Sequence, residues 1–157
     1  YYMRVDVRPQ GPFPDPMPLD DYTLGSNAMS YLDKMTKLCK DNGIEFVLIK
    51  APTEYPYWYP EWDDQIVDYA NANGLTYINM IPLQDEIGLD MSVDTYDAGL
   101  HLNLSGAEKL SSYFGKFLVD NYQLTDYRTD ETYSKEYDKK LDYYYKMIDE
   151  QRSKLEE

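Results

Sequence analysis

Twice in this chain an amphipathic helical pattern runs into an Asn-Gly pair and then directly into a short, apolar, β-branched run. That order restricts the fold to one class. Over residues 27–42 the apolar positions Ala28, Tyr31, Leu32, Met35, Leu38 and Cys39 recur at helical spacing. Asn42-Gly43 then supplies residues that tolerate a left-handed cap. Residues 44–49 read as a strand, and the unbroken run from Phe46 to Ile49 suits a strand buried on both faces. The pattern repeats with a helix over 61–73 (Ile66, Val67, Tyr69, Ala70), a break at Gly74 and a strand over 75–80.

Residues 82–94 are expected to form a loop with one short helical turn. Ser105 opens a further helix through the capping box Ser105-x-x-Glu108, in which each side chain satisfies the other residue's free backbone donor. Its inner face is predicted as Ala107, Leu110, Tyr113 or Phe114, Phe117 and Leu118. From about residue 129 one stripe (Tyr133, Tyr137, Leu141, Tyr144, Ile148) runs along an otherwise charged helix. Such a helix either closes over the domain or is kept for a partner chain.

Alternation of helix and strand predicts an α/β fold with a parallel sheet. Two strands, or three if residues 1–7 add an edge, are too few for four helices to cover. The N-terminal strands of the sheet are therefore expected upstream of Tyr1. A chain that opens on Tyr rather than Met is likewise expected to come from a longer product.

Composition narrows the function. The 157 residues suffice for one domain with a core, and 43% are hydrophobic, so the chain folds. A net charge of −14 repels nucleic acid and anionic lipid, and no nucleic-acid partner is expected. Nothing resembles a signal peptide, and no run reaches the roughly 18 apolar residues of a membrane span. The single Cys39 allows neither an intrachain disulfide nor a cysteine metal site. Eighteen tyrosines serve either packing or contact with sugar rings. Five prolines between Pro9 and Pro18 forbid helix and make residues 1–26 an extended segment. That segment also has the makings of a proline-recognition ligand.

The one histidine, His101, falls in a loop between the second strand and the Ser105 helix, where sites gather in open α/β sheets. Imidazole titrates near neutrality and is the usual general base. Asp97, or Asp94 in reserve, can hold one ring nitrogen and leave the other free to accept a proton. Taken by itself, the pair is equally well a hydrogen-bonded loop histidine without function. No spacing of His with Asp suggests a metal site, and no cofactor is expected. The aromatic loop Tyr55, Tyr57, Trp58, Tyr59, Trp62 follows the carboxyl end of the first strand. It either packs down on the sheet or forms a wall for an acyl group or sugar ring, with Tyr57, Trp58 and Trp62 as contact residues.

The block His101-Leu102-Asn103, Ser105-Gly106-Ala107 and the helix ending Gly115-Lys116-Phe117-Leu118 resembles the last conserved block of SGNH/GDSL hydrolases. It is particularly similar to uncharacterised SGNH-like proteins of Gram-positive bacteria. The likeness continues upstream through Cys39-Lys40-Asp41-Asn42-Gly43-Ile44 and Lys50-Ala51-Pro52-Thr53, and downstream through Thr125-Asp126-Tyr127-Arg128. The resemblance implies a flavodoxin-like three-layer α/β/α domain, here its C-terminal half over 27–124, followed by the helix over 125–157. It implies a Ser-His-Asp site with His101 as base, Asp97 as orienting acid and Asn103 near the substrate.

This sequence departs from that pattern in two places. The acid lies four residues before the histidine instead of three. No Gly-Asp-Ser is present either, and Gly25-Ser26-Asn27, the nearest look-alike, reads as a helix N-cap. The upstream half of the same protein is expected to bring the serine, so this polypeptide alone is expected to be inactive as an esterase. The resemblance further implies acylated cell-surface glycans as substrates and an extracytoplasmic location. The alternative is a hydrolase-derived module that binds a glycan or a protein without chemistry.

Overall fold

The two Asn-Gly junctions become the two turns that lead a helix into a strand. The computed structural model describes residues 3–9 and 11–155. Among them the order is α1 (Ser26–Asp41), β1 (Val47–Lys50), α2 (Pro60–Asn73), β2 (Thr76–Asn79), α3 (Gln84–Ile87), α4 (Leu104–Asn121) and α5 (Glu131–Ser153). Gly43 and Gly74 sit at φ 63° and 65°, the left-handed region where a side chain would be strained. Among the described residues the architecture is mixed α/β, with five helices and a two-stranded parallel sheet. Among the described residues no helix is long and apolar enough to cross a membrane.

By compactness the chain divides into two units, Pro12–Gln84 and Tyr1–Gly11 together with Asp85–Glu157. The segments 1–26, 27–124 and 125–157, the last two taken from the resemblance, are not the bounds of these units.

In the unit Pro12–Gln84, β1 and β2 pair in parallel with Val47 opposite Thr76 and Lys50 opposite Asn79. Side chains alternate along a strand, so Leu48, Lys50, Tyr77 and Asn79 share one face. Helix α2 packs on that face. Its Asp63 Oδ1 accepts hydrogen bonds from Tyr77 Oη at 2.5 Å and Asn79 Nδ2 at 2.9 Å. Pro60 at the first position of α2, followed by Glu61 and Asp63, suits a helix start in both geometry and dipole. Helix α1 meets α2 through buried Thr36, whose hydroxyl bonds the Tyr69 hydroxyl at 2.9 Å.

Several sequence expectations are corrected here. β1 is not buried on both faces: Ile49, on the face opposite Leu48 and Lys50, stays 43% exposed. The covered side of α1 runs through Met29, Leu32, Thr36 and Cys39, whereas Tyr31, Met35 and Leu38 remain exposed at 65%, 46% and 61%. One neighbouring helix covers one stripe, and the apolar pattern was wider than that stripe. Helix α1 is preceded by Gly25 as its N-cap, and no side chain caps it.

In the other unit, residues 3–7 of the optional edge strand over 1–7 form no strand. Tyr1 and Tyr2 lie outside the described residues. Residues 4–8 instead give their backbone groups to an irregular loop: Arg8 N bonds Thr95 O at 2.9 Å, and Leu104 N bonds Arg4 O at 2.7 Å. The helical turn expected within 82–94 is α3. Helix α4 is capped by Asn103, not Ser105, and its side chain accepts from Gly106 N. Ser105 therefore lies inside the helix, and Glu108 closes no capping box but accepts from the Tyr144 hydroxyl of α5 at 2.9 Å. Of the predicted inner face of α4, Leu110, Tyr113, Phe114, Phe117 and Leu118 are half-buried and Ala107 is exposed. Only the second half of α5 is covered, around buried Ile148. Tyr133 and Tyr137 of its stripe stay exposed.

Candidate functional site

His101 stands on the returning arm of a tight loop. Thr95 and Leu102 form an antiparallel bridge, Tyr96 N bonds His101 O at 3.3 Å, and Asn103 N bonds Asp94 O at 2.9 Å. The tip turns back through Ala98 and Gly99, at φ 66° and 97°. Ala98 is the only described non-glycine residue with a positive φ, a sign of backbone held by its surroundings. Thr95 is the anchor. It is fully buried, its hydroxyl donates to Arg8 O at 2.8 Å, and it accepts from Gly99 N at 3.1 Å.

This geometry explains an acid placed four residues before the histidine. Across the tip, Asp97 Oδ1 accepts the His101 backbone N–H at 2.7 Å while Oδ2 faces the ring Nδ1 at 2.5 Å. With a carboxylate as acceptor, Nδ1 carries the proton, and Nε2 is left as the ring's acceptor. Among the described residues no hydrogen bond engages Nε2. The His101 side chain is 68% exposed, so that nitrogen faces solvent.

A stack fixes the ring plane. Tyr96 lies parallel to it, with centroids 5.9 Å apart and planes 15° apart. The Arg4 guanidinium lies 5.0 Å from the Tyr96 centroid and is itself held by both oxygens of Asp6 at 2.7 Å. Sequence reasoning missed Arg4, Tyr96 and Thr95. Tyr96 adjoins Asp97, but nothing in the sequence ties Arg4 to a loop some ninety residues away.

Asp94, the reserve acid, does not touch the ring. It is fully buried, and its Oδ2 accepts from Asp90 N at 2.8 Å and Lys109 Nζ at 2.5 Å. Burial alone would raise its pKa. The Asp90 amide, the Lys109 ammonium and the Ser105 hydroxyl outweigh it and hold the carboxyl below the usual range. Oδ1 closes no hydrogen bond of good geometry. Asn103, expected near the substrate, is buried. Its amide donates to Asp6 O and Val93 O at 3.2 and 2.8 Å, and its oxygen caps α4, so its polar atoms are already occupied. A cleft of about 560 Å³ begins one residue beyond His101, lined by Met3, Arg4, Leu102, Leu104 and Met147 among others.

Tyr57, Trp58 and Trp62 belong to the other unit. Trp58 is locally engaged: its indole N–H donates to Asp63 Oδ1 at 3.0 Å, and the Lys50 ammonium lies 5.2 Å from its ring centroid. Burial holds the Lys50 pKa below its ordinary value. Burial also works to raise the pKa of Asp63, but bonds from Tyr77, Trp58 and Asn79 overcome it and leave the carboxyl lowered. Burial and the same bond push the Tyr77 phenol up. Trp62 meets Trp58 and Tyr59 edge-on at 6.0 and 4.8 Å. Tyr57 contacts the rings of Tyr55 and Tyr59. Among the described residues, no group of three or more His, Cys, Asp or Glu side chains is placed to hold a metal ion.

What the geometry offers chemically is one oriented proton acceptor, without a hydroxyl nucleophile at its Nε2 within the described residues. Comparison with known proteins adds no relative: no family model, no curated protein and no solved structure matches this chain.

Proposed function

We propose that this chain is the histidine-bearing, C-terminal part of an SGNH/GDSL-type serine esterase or O-acyltransferase, built as a flavodoxin-like three-layer α/β/α domain. The observation that carries the reading is the Asp97–His101 pair: Nδ1 held by a carboxylate, Nε2 open to solvent. A base arranged in this way accepts the proton of a serine hydroxyl as that oxygen attacks an ester carbonyl. It then returns the proton to the leaving alcohol, passing through an acyl-enzyme. The serine comes from the upstream half of the same protein, and the chain alone is inactive. The cleft beside Leu102 is mostly apolar in lining and suits an acyl group. Acylated glycans of the cell surface are the proposed substrate class, and the proposed setting is extracytoplasmic.

The test is hydrolysis of an aryl acetate by the protein carrying its upstream half. Activity should fall by a factor of about a thousand or more in His101→Ala, the scale on which triad members act. Unchanged turnover in that variant removes the assignment.

A second reading, a binding module without chemistry, is favoured by a cleft of about 540 Å³ at the start of α5. Tyr127, Tyr133 and Tyr137 line it together with Arg128, Ser134 and Asp138. Rings beside hydrogen-bonding groups are what a neutral sugar needs. Glycan binding without turnover by the longer protein would favour this reading.

A further inference from the structure

The aromatic loop of the unit Pro12–Gln84 is already in use. The proline-rich segment of the same unit lies on it and is held by three kinds of contact. Phe13 meets Tyr55 edge-on, with centroids 6.2 Å apart and planes at 88°. Buried Tyr59 donates its hydroxyl proton to the carbonyl of Met17 at 2.6 Å, and Tyr22 packs edge-on against Tyr59 at 5.1 Å. Gln65 of α2 then grips the backbone at two alternate residues, donating from Nε2 to Tyr22 O at 2.8 Å and accepting Leu24 N at Oε1 at 3.0 Å.

Each contact is of a type that reads an extended peptide. Proline fixes φ near −65° and removes an amide donor, so a run such as Pro12-Phe13-Pro14-Asp15-Pro16-Met17-Pro18 is extended beforehand and loses little entropy on docking. Aromatic grooves with a hydroxyl or indole donor recognise such segments. A side-chain amide that meets a carbonyl and an N–H two residues apart mimics a neighbouring strand and reads backbone, not side chains. Residues 14–20 are exposed, so the segment lies on the surface and is not threaded through the core.

We propose that the surface formed by Tyr55, Tyr59 and Gln65 is a docking site for an extended proline-rich peptide, occupied here by the chain's own residues 12–24. A proline-rich segment of a partner takes the same place once the internal one is displaced. The internal segment competes at an effective concentration on the order of millimolar, as for any short tether. Free sites are therefore scarce in the unaltered chain.

The test uses the full chain and a synthetic peptide of residues 11–24 as probe. Trp58 and Trp62, the only two tryptophans, flank the surface and report occupancy by their emission. A chain with Pro12, Phe13, Pro14, Pro16 and Pro18 all replaced by Ser should bind the peptide at least ten-fold tighter than the unaltered chain. Adding Tyr59→Phe or Gln65→Ala to it should weaken that binding several-fold. A serine-substituted chain with unchanged circular dichroism whose tryptophans do not respond to millimolar peptide overturns the proposal. Should the multiple variant not fold, Gln65→Ala alone decides. Hydrogen exchange at the Leu24 amide must quicken at least ten-fold while α2 amides hold, and unchanged exchange there overturns the site.

Discussion

Gly106, in the first turn of α4, approaches Asp94 so closely that a β-carbon built on it would stand 2.6 Å from the Asp94 carbonyl oxygen. The same carbon would lie 3.0 Å from Leu102 Cδ2 and 3.1 Å from Asp94 Cβ. The helix is thus seated directly on the loop that carries His101, with no room for a side chain between them.

Gly106→Ala should therefore destabilise the protein by about 2 kcal/mol, the range for overpacking against backbone, although alanine is the better helix former. Urea unfolding measures it. A gain in stability would show that the loop yields without resistance.

The cap of α4 gives a second contrast. Asn103→Ala removes the buried bond to Gly106 N and two part-buried amide donations, and should cost about 2 kcal/mol. Ser105→Ala, at the position the capping-box pattern favours, should cost less than about 1 kcal/mol. Equal losses in the two variants would restore Ser105 as the cap.

The imidazole tautomer follows from Asp97. As the only histidine, His101 gives isolated ring ¹⁵N signals, and its neutral form should carry the proton on Nδ1. Asp97→Ala should shift the neutral ring toward the Nε2–H form. A wild-type ring already protonated on Nε2 would contradict the orientation described here.

Acid stability follows from Asp94 and Asp63, whose carboxyls are both lowered in the folded chain. A group with a depressed folded pKa binds its proton more readily when unfolded. Its contribution is complete above the unfolded value, about 3.9 for Asp, and is lost as pH falls through the folded value. Unfolding free energy should thus decline below about pH 4. In Asp94→Asn the decline should be shallower, starting from a neutral-pH stability lower by about 2 kcal/mol because the Lys109 ammonium loses its partner. Denaturant titrations from pH 6 to pH 2.5 measure both quantities, and parallel curves would remove Asp94 from the account.

The sequence by itself determined the order of elements and the mixed α/β class. Helical spacing, two Asn-Gly stops and two apolar runs are local signals, and they read the same in any context. It also singled out His101 with Asp97, or Asp94 in reserve, since a lone imidazole near carboxylates is visible as text. Only the tertiary structure decided which apolar stripes are covered. A stripe is buried by its neighbour, and Tyr31, Met35 and Leu38 have none on their side of α1. Tertiary structure likewise chose Asn103 over Ser105 as the cap, where its amide is held by the carbonyls of Asp6 and Val93. It brought Arg4 and Tyr96 to the histidine and laid the proline segment on Tyr59. Contacts between residues far apart in the chain depend on how the backbone returns on itself, and periodicity carries no record of that.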